Sequence, residues 1–449
     1  MDSSLLCITP IDGRYNSKTN ILSNYFSEKA LITYRLRVEI EYFINLLNIL
    51  DINLTDSLKS DLRDLYLDIK DDYIIEIKNI EKKVKHDVKA VEIFLRQKLV
   101  NMNFNKYIEY IHFGLTSQDI NSTSYMLSLY EANNNIIIPK IKLLRNELDI
   151  LVERYKTIPM LSRTHGQPAS PTILGKEINV FSYRLDKQIK LLESYKYSTK
   201  FGGAVGNFNS HVLTYPEIDW IKFADSFTKR FGFERNKYTT QIDIYDNYSE
   251  LFDILKRISI ILLDFTRDMW LYISQEYFNQ KCIADEVGSS TMPHKINPIY
   301  FENAEGNLLL SITLFEFMSK KLPVSRLQRD LTDSTVLRNI GSCYAYLLIS
   351  INSIGEGLER IEPNFEKISQ DLNNNSVILA EAIQSILRNE LVESSYDIIK
   401  DITRNNNNSF SIDNVIETIE DKLNSKNKKN VIEKIKNLNV NNYTGVFML

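Results

Sequence analysis

The stretch LFDILKRISIILLDFTRDMWLY, residues 251–272, decides the fold. Its apolar residues Leu251, Leu255, Ile258, Leu262, Phe265, Met269 and Tyr272 are separated by alternating steps of four and three. That is a heptad seam, and it predicts a helix of about 25–30 residues packed in a bundle. Working outward, proline is absent between Pro216 and Pro293, between Pro171 and Pro216, and between Pro10 and Pro139. Proline inside a helix removes a hydrogen bond and clashes with the preceding turn, so these windows admit long helices. Ser27 reads as the N-cap of a helix over Glu28–Leu50. Ser122–Tyr155 reads as a long helix kinked or broken at Pro139, and Thr172–Lys200 as a helix stopped by Gly202-Gly203. Strand-type alternation does not recur at the 8–12-residue spacing of sandwiches and barrels, and no repeat is found. The expected class is therefore all-α. Beyond Pro363 the patterns shorten, as in Ser376–Arg388 and Val415–Lys426, and are interrupted by asparagines. Three parts are expected: an N-terminal helical domain (1–113), a central long-helix bundle (114–362) and a C-terminal helical domain (363–449).

Composition agrees. The 449 residues include only 24 Gly and Pro, about 5% against a usual ~12%, which argues against loop-rich architectures. A net charge of −4 excludes a generally basic nucleic-acid coat. Cys7, Cys282 and Cys343 show no paired spacing, which points to a reducing compartment. The N-terminus lacks a basic segment, and its apolar run Leu5–Ile8 is too short for a secretory signal. The longest apolar stretch, Ile258–Leu263, carries Ser259 and is far short of the ~20 residues of a membrane span. A cytoplasmic protein without membrane or nucleic-acid partners is expected.

Only five histidines occur, and four lie in small, polar, loop-like contexts: Lys85-His86-Asp87, Ile111-His112-Phe113-Gly114, Thr164-His165-Gly166-Gln167-Pro168 and Pro293-His294-Lys295. His211 reads as structural. Gly288-Ser289-Ser290-Thr291-Met292-Pro293-His294-Lys295-Ile296-Asn297-Pro298 cannot continue a helix, because it combines two prolines, a glycine and three hydroxyls. Hydroxyls, backbone N–H groups and a lysine together can cradle a carboxylate or oxyanion. Composition alone leaves a polar interhelix turn equally open. Zinc lacks its usual motifs, and Gly202–Gly206 matches neither dinucleotide nor P-loop signatures. Arg326, Arg329 and Arg338 can grip phosphate or carboxylate, although a helix surface salt-bridged to Asp330 and Asp333 explains them as well.

Gly288–Pro298 resembles the signature loop of the fumarase/aspartase superfamily. Ser162–Ala169 resembles, within it, the adenylosuccinate lyase family, as do Pro10–Tyr15, Thr116–Asn121, Tyr238–Gln241 and Arg329–Asn339. The likeness runs from about residue 8 to the C-terminus and is nearest the longer bacterial-type form. Lys85 departs from it, since that form usually has Asn before His-Asp. The resemblance implies an all-α homotetramer with a shared central bundle and active sites built by several subunits. It implies β-elimination of fumarate from adenylosuccinate, giving AMP, and from the succinylated carboxamide intermediate SAICAR, giving AICAR. No metal or organic cofactor is needed. Ser289 matches the family's base and His165 its acid, with Lys295 stabilising charge and His86 assisting. Substrate contacts are implied for Arg14, Tyr15, Lys85, His86, Asp87 and His112, and for the hydroxyls of Thr116, Ser117 and Ser290. They are implied too for Gln241, Lys295, Ile296, Asn297, Asn303 and Arg329, and for the run Ser334, Thr335, Val336, Leu337 and Arg338. Two other readings are argininosuccinate lyase, opposed by His165-Gly166-Gln167-Pro168, and a silent helical scaffold, opposed by the joint presence of Ser289, Lys295 and His165.

Overall fold

The computed structural model describes residues 3–281, 292, 294–405, 410–424 and 426–447. The heptad seam lies on a 29-residue helix, Asp246–Ser274. Its residues Leu251, Leu255, Ile258, Leu262, Phe265 and Met269 are each at most 2% exposed. Four more long helices accompany it: Ile138–Tyr155, Leu174–Ser194, Ile299–Lys321 and Ile340–Glu359. The chain divides into two compact units. The first comprises Met1–Leu143, Lys187–Asp264 and Asn303–Ile354; the second comprises Leu144–Asp186, Phe265–Glu302 and Gly355–Leu449.

In the first unit Ser27 Oγ accepts from the Ala30 N–H at 3.1 Å and starts the Glu28–Ile49 helix, as expected. That helix buries Leu36, Ile40 and Phe43 against Leu62, Ile77 and Phe94. The helix expected over Ser122–Tyr155 begins earlier, at Ser117, and is interrupted by a five-residue π turn, Asn133–Ile137, just before Pro139. The wider turn accommodates a proline that can neither donate nor tolerate the regular turn behind it. Thr172–Lys200 is not one helix. Gln167–Ile173 is a strand, antiparallel to Pro159–Thr164, and the helix covers Leu174–Ser194 only. It stops because Tyr195 and Tyr197 turn into the core, edge to face with ring centroids 4.7 Å apart. Ser198–Thr199 then pairs with Glu234–Arg235. In the second unit, Ile383, Leu387, Val415, Ile419 and Val431 form the core of the C-terminal helices. The helix predicted over Val415–Lys426 is shifted to Ile412–Ile419, followed by a 3-10 turn through Lys422. Among the described residues no helix is long and apolar enough to cross a membrane.

His211 is wholly buried in the first unit. Its Nε2 lies 3.0 Å from the Tyr42 hydroxyl, which itself donates to Phe113 O at 2.6 Å. The Tyr42 oxygen therefore accepts from Nε2–H, and Nδ1 has no partner among the described residues. A Cβ on Gly114, where φ is +68°, would stand 2.5 Å from the His211 ring, so glycine is required there. Burial pushes the imidazole down to about 4 from an ordinary 6.5, outweighing the charge of Asp119. Between those values the unfolded chain takes up a proton that the folded one refuses. The stability is present above pH 6.5 and is lost as pH falls towards 4, by up to about 3 kcal/mol. His211→Gln is accordingly expected to melt with a weaker acid dependence than the parent, measured as Tm from pH 7.5 to 4.5.

Candidate active site

In the first unit the predicted residues gather around helix starts. The Asp71–Val84 helix ends at Lys85, whose N–H bonds Glu81 O at 2.8 Å and whose φ is +57°. Left-handed backbone suits asparagine better than lysine, so Lys85 holds a conformation that its side chain does not favour. The chain then turns so that His86 Nδ1 accepts from the Lys89 N–H at 3.2 Å and caps the next helix, Asp87–Asn101. Accepting there leaves the proton on Nε2, which faces Ser117 Oγ at 3.4 Å.

Asp87 is shared by two arginines. Arg35 donates to Oδ2 at 2.7 Å and Arg338 at 2.9 Å, while the Val88 N–H donates to Oδ1. Burial pushes its carboxyl up, but Arg35, the backbone and Arg338 outweigh burial and hold it below the usual carboxylate range. Arg35 is 2% exposed and also grips Asn121 at 2.8 Å. Arg338 is 44% exposed and also reaches Glu28 at 3.4 Å.

His112 occupies a left-handed turn at φ +58°, with Nδ1 2.5 Å from Oε1 of the buried Glu39. Burial pulls its pKa down, but the charge and hydrogen bond of Glu39, with Glu92 and Asp119, prevail and raise it above 6.5. Thr116 donates its N–H to Asp119 Oδ2 at 2.8 Å at the start of the Ser117–Ala132 helix. Elsewhere in the unit Tyr15 OH accepts from Asn303 Nδ2 at 2.8 Å, and Asn303 Oδ1 accepts from Ser353 at 2.9 Å. A short helix, Thr332–Leu337, carries Ser334 and Val336 half-buried, Thr335 exposed and Leu337 buried. Arg326 pairs with Asp330 at 3.3 Å, but Asp333 turns inward and accepts from Tyr245 OH at 2.8 Å. Arg14 is exposed, and Gln241 and Arg329 are half-buried.

In the second unit His165 stands at the tip of the hairpin. Thr164 pairs with Gln167, and the two residues between them have φ of +54° (His165) and +74° (Gly166). Two successive positive φ values make the tight turn whose twist matches the strands, and it presents the imidazole to solvent. Arg163 reaches Asp371 at 3.6 Å and steadies one strand. Lys295 is exposed, its N–H bonded to Met292 O at 3.0 Å. Ile296 O accepts from Gln280 at 2.6 Å, and half-buried Asn297 accepts from the Ile299 N–H as the next helix begins. Ser289 and Ser290 lie outside the described residues.

Arg35 and Glu39 were not among the residues predicted for the site. Both lie among Leu36, Ile40 and Phe43 on the Glu28–Ile49 helix, where charged residues read from sequence as solvated and only packing turns them inward.

In solved structures the fold matches a fumarate lyase from Mesorhizobium sp. BNC1 (TM-score 0.73, 15% identity, 95% of each chain). It also matches the 3-carboxy-cis,cis-muconate lactonizing enzyme of Pseudomonas putida (TM-score 0.71, 17% identity, 96% of this chain and 95% of that one). A lyase family model matches residues 13–309, so the fold and sequence define a lyase of the fumarase/aspartase superfamily. The adenylosuccinate lyase C-terminal model matches residues 325–444. Adenylosuccinate lyases of Dictyostelium discoideum, Haemophilus influenzae and Escherichia coli K12 are 49%, 44% and 43% identical, each alignment covering 90% of this chain and 89% of the relative. The chain belongs to the adenylosuccinate lyase family, enzymes that act on carbon–nitrogen bonds.

The two arginines on Asp87 differ in burial and so in what they contribute. Arg35→Met leaves a largely buried carboxylate short of its main cation and is expected to cost about 3–5 kcal/mol. Arg338→Met at the exposed end is expected to cost at most about 1 kcal/mol. Guanidinium chloride unfolding of both variants tests the contrast.

Proposed function

We propose that the chain eliminates fumarate from adenylosuccinate, giving AMP, and from SAICAR, giving AICAR, in the purine nucleotide pathway of the cytoplasm. The observation that carries this reading is its likeness, along nine-tenths of its length, to proteins named adenylosuccinate lyase.

The reaction removes a proton beside a carboxylate, stabilises the dianionic carboxylate that results and protonates the departing nitrogen. Ser289 is the base. A free serine hydroxyl is too weak a base, so Lys295 and neighbouring N–H groups stabilise its alkoxide. His165 is the acid: imidazolium donates near neutral pH, and a short hairpin turn fixes where it does so. The substrate's phosphate and two carboxylates bring about four negative charges. A chain of net charge −4 must meet them with locally concentrated cations. Arg14, Arg329, Arg338 and Lys295 supply these, His86 and His112 add donors, and Thr116, Ser117, Ser290, Ser334 and Thr335 offer hydroxyls. Tyr15, Gln241, Asn297 and Asn303 add polar contacts. Lys85, Asp87, Ile296, Val336 and Leu337 complete the lining.

The direct test is loss of adenylosuccinate absorbance with fumarate identified as product. Ser289→Ala and His165→Ala are each expected to lower kcat by about 10²–10⁴-fold with the fold retained. Wild-type-like turnover in either removes that residue from the mechanism.

We further propose a homotetramer in which His165 and Ser289 of one site come from different subunits. Mixing the two inactive variants under subunit exchange is then expected to restore about a quarter of wild-type activity, because an intact site draws each residue from the other variant with probability one half. Hybrid tetramers without recovered activity would place both residues on one chain.

A further inference from the structure

We propose that Glu39 is a positioning residue that holds His112 as an imidazolium cation, so that this side chain always presents a hydrogen-bond donor to the anionic substrate. The proposal rests on the reading of His112 as a substrate contact.

Glu39 lies on the Glu28–Ile49 helix between Leu36, Ile40 and Phe43, and it is 0% exposed. A carboxylate in such surroundings is retained only where its charge is answered. Oε1 lies 2.5 Å from His112 Nδ1, and Oε2 has no partner among the described residues. His112 is thus the group that answers it.

The other charges around the pair come from three helices. Asp119, on the Ser117–Ala132 helix, is already neutralised by Lys200. Glu92, on the Asp87–Asn101 helix, is held by Lys89 and Arg96. Arg35, one turn before Glu39, is committed to Asp87 and Asn121. Glu39 is therefore the carboxylate that faces the imidazole directly.

His112 has φ +58° and Gly114 φ +68°, and the His211 ring fills the space beside Gly114. With Nδ1 bonded to Glu39, Nε2–H is the donor left for a ligand. The ring remains 16% exposed while its partner is fully covered. A neutral imidazole could present a lone pair at that nitrogen and repel phosphate or carboxylate. A cation pinned by a buried carboxylate cannot.

The test uses the full-length enzyme, Glu39→Gln and His112→Asn. Glu39→Gln keeps the shape and a hydrogen-bonding group but removes the charge. Its KM for adenylosuccinate is expected to rise about tenfold at pH 8 with kcat little changed, and to recover towards wild type as pH falls to 6 and His112 regains its proton. The wild-type KM is expected to vary much less over that range. In parallel, ¹³Cε1-histidine labelling gives five resonances, from which the signal lost in His112→Asn identifies His112. That signal is expected to keep its protonated shift from pH 6 to 8 in the wild type and to titrate within that range in Glu39→Gln. An unchanged KM–pH profile in Glu39→Gln overturns the role of Glu39 while leaving the His112 contact standing. A wild-type KM in His112→Asn removes the contact itself, and the proposal falls with it. If Glu39→Gln does not fold, the wild-type titration decides: His112 losing its proton between pH 6 and 8 overturns the proposal.

Discussion

A lysine and an aspartate with no exposure at all hold the first unit's site in place. Lys200 Nζ lies 2.7 Å from Asp119 Oδ1 and also donates to Gly203 O at 2.7 Å. The same carboxylate accepts from the N–H groups of Gly202, Gly203 and Thr116. Only such satisfaction offsets the desolvation of two buried ions. The arrangement ties a turn from the middle of the chain to the helix start that carries Thr116 and Ser117. His112 enters from the same loop, and His86 reaches Ser117 from a neighbouring helix. Hydroxyl, imidazole and guanidinium thus stand on one framework that cannot shift piecemeal without exposing a charge to an apolar interior.

The electrostatics of that framework follow one plan. Two of the cations proposed to meet the substrate have an acid behind them: Asp87 behind Arg338, and Glu39 behind His112. The acids are more buried than the cations, so the exposed end of each pair is the positive one. A chain with excess negative charge can in this way present positive charge locally, because Asp87 and Glu39 support these cations from within.

The parts of the fold that were legible in the sequence are those where burial repeats with the helical period. Residues 251–272 are the clearest case, since a helix that buries one face writes its period into the chain. The Glu28–Ile49 start was legible through Ser27, and Pro139 located the π turn to within a few residues. The hairpin was not. Gln167–Ile173 contains Pro168 and Pro171 and lacks the apolar alternation of a half-buried strand, so its pairing depends on a partner segment that local pattern cannot reveal. Glu39 and Arg35 were hidden for the opposite reason: charged residues on a long helix read by default as solvated, and only tertiary packing turns them inward. The Lys85-His86-Asp87 run was found by composition, but the left-handed backbone that it requires became evident only in three dimensions.

The hairpin that carries His165 also limits how such a chain can vary. Its two strands meet through a turn of only two residues, both left-handed, and its register already absorbs one irregularity between Leu161 and Ser162. Side chains alternate faces along a strand, so an inserted residue that no further bulge absorbs would send the imidazole to the opposite side of the ribbon. The strands can exchange one side chain for another, but a change of length keeps the imidazole on its face only in steps of two or where a bulge like the one already present absorbs it. The hairpin works as a ruler, and the distance it measures fixes where the His165 ring stands.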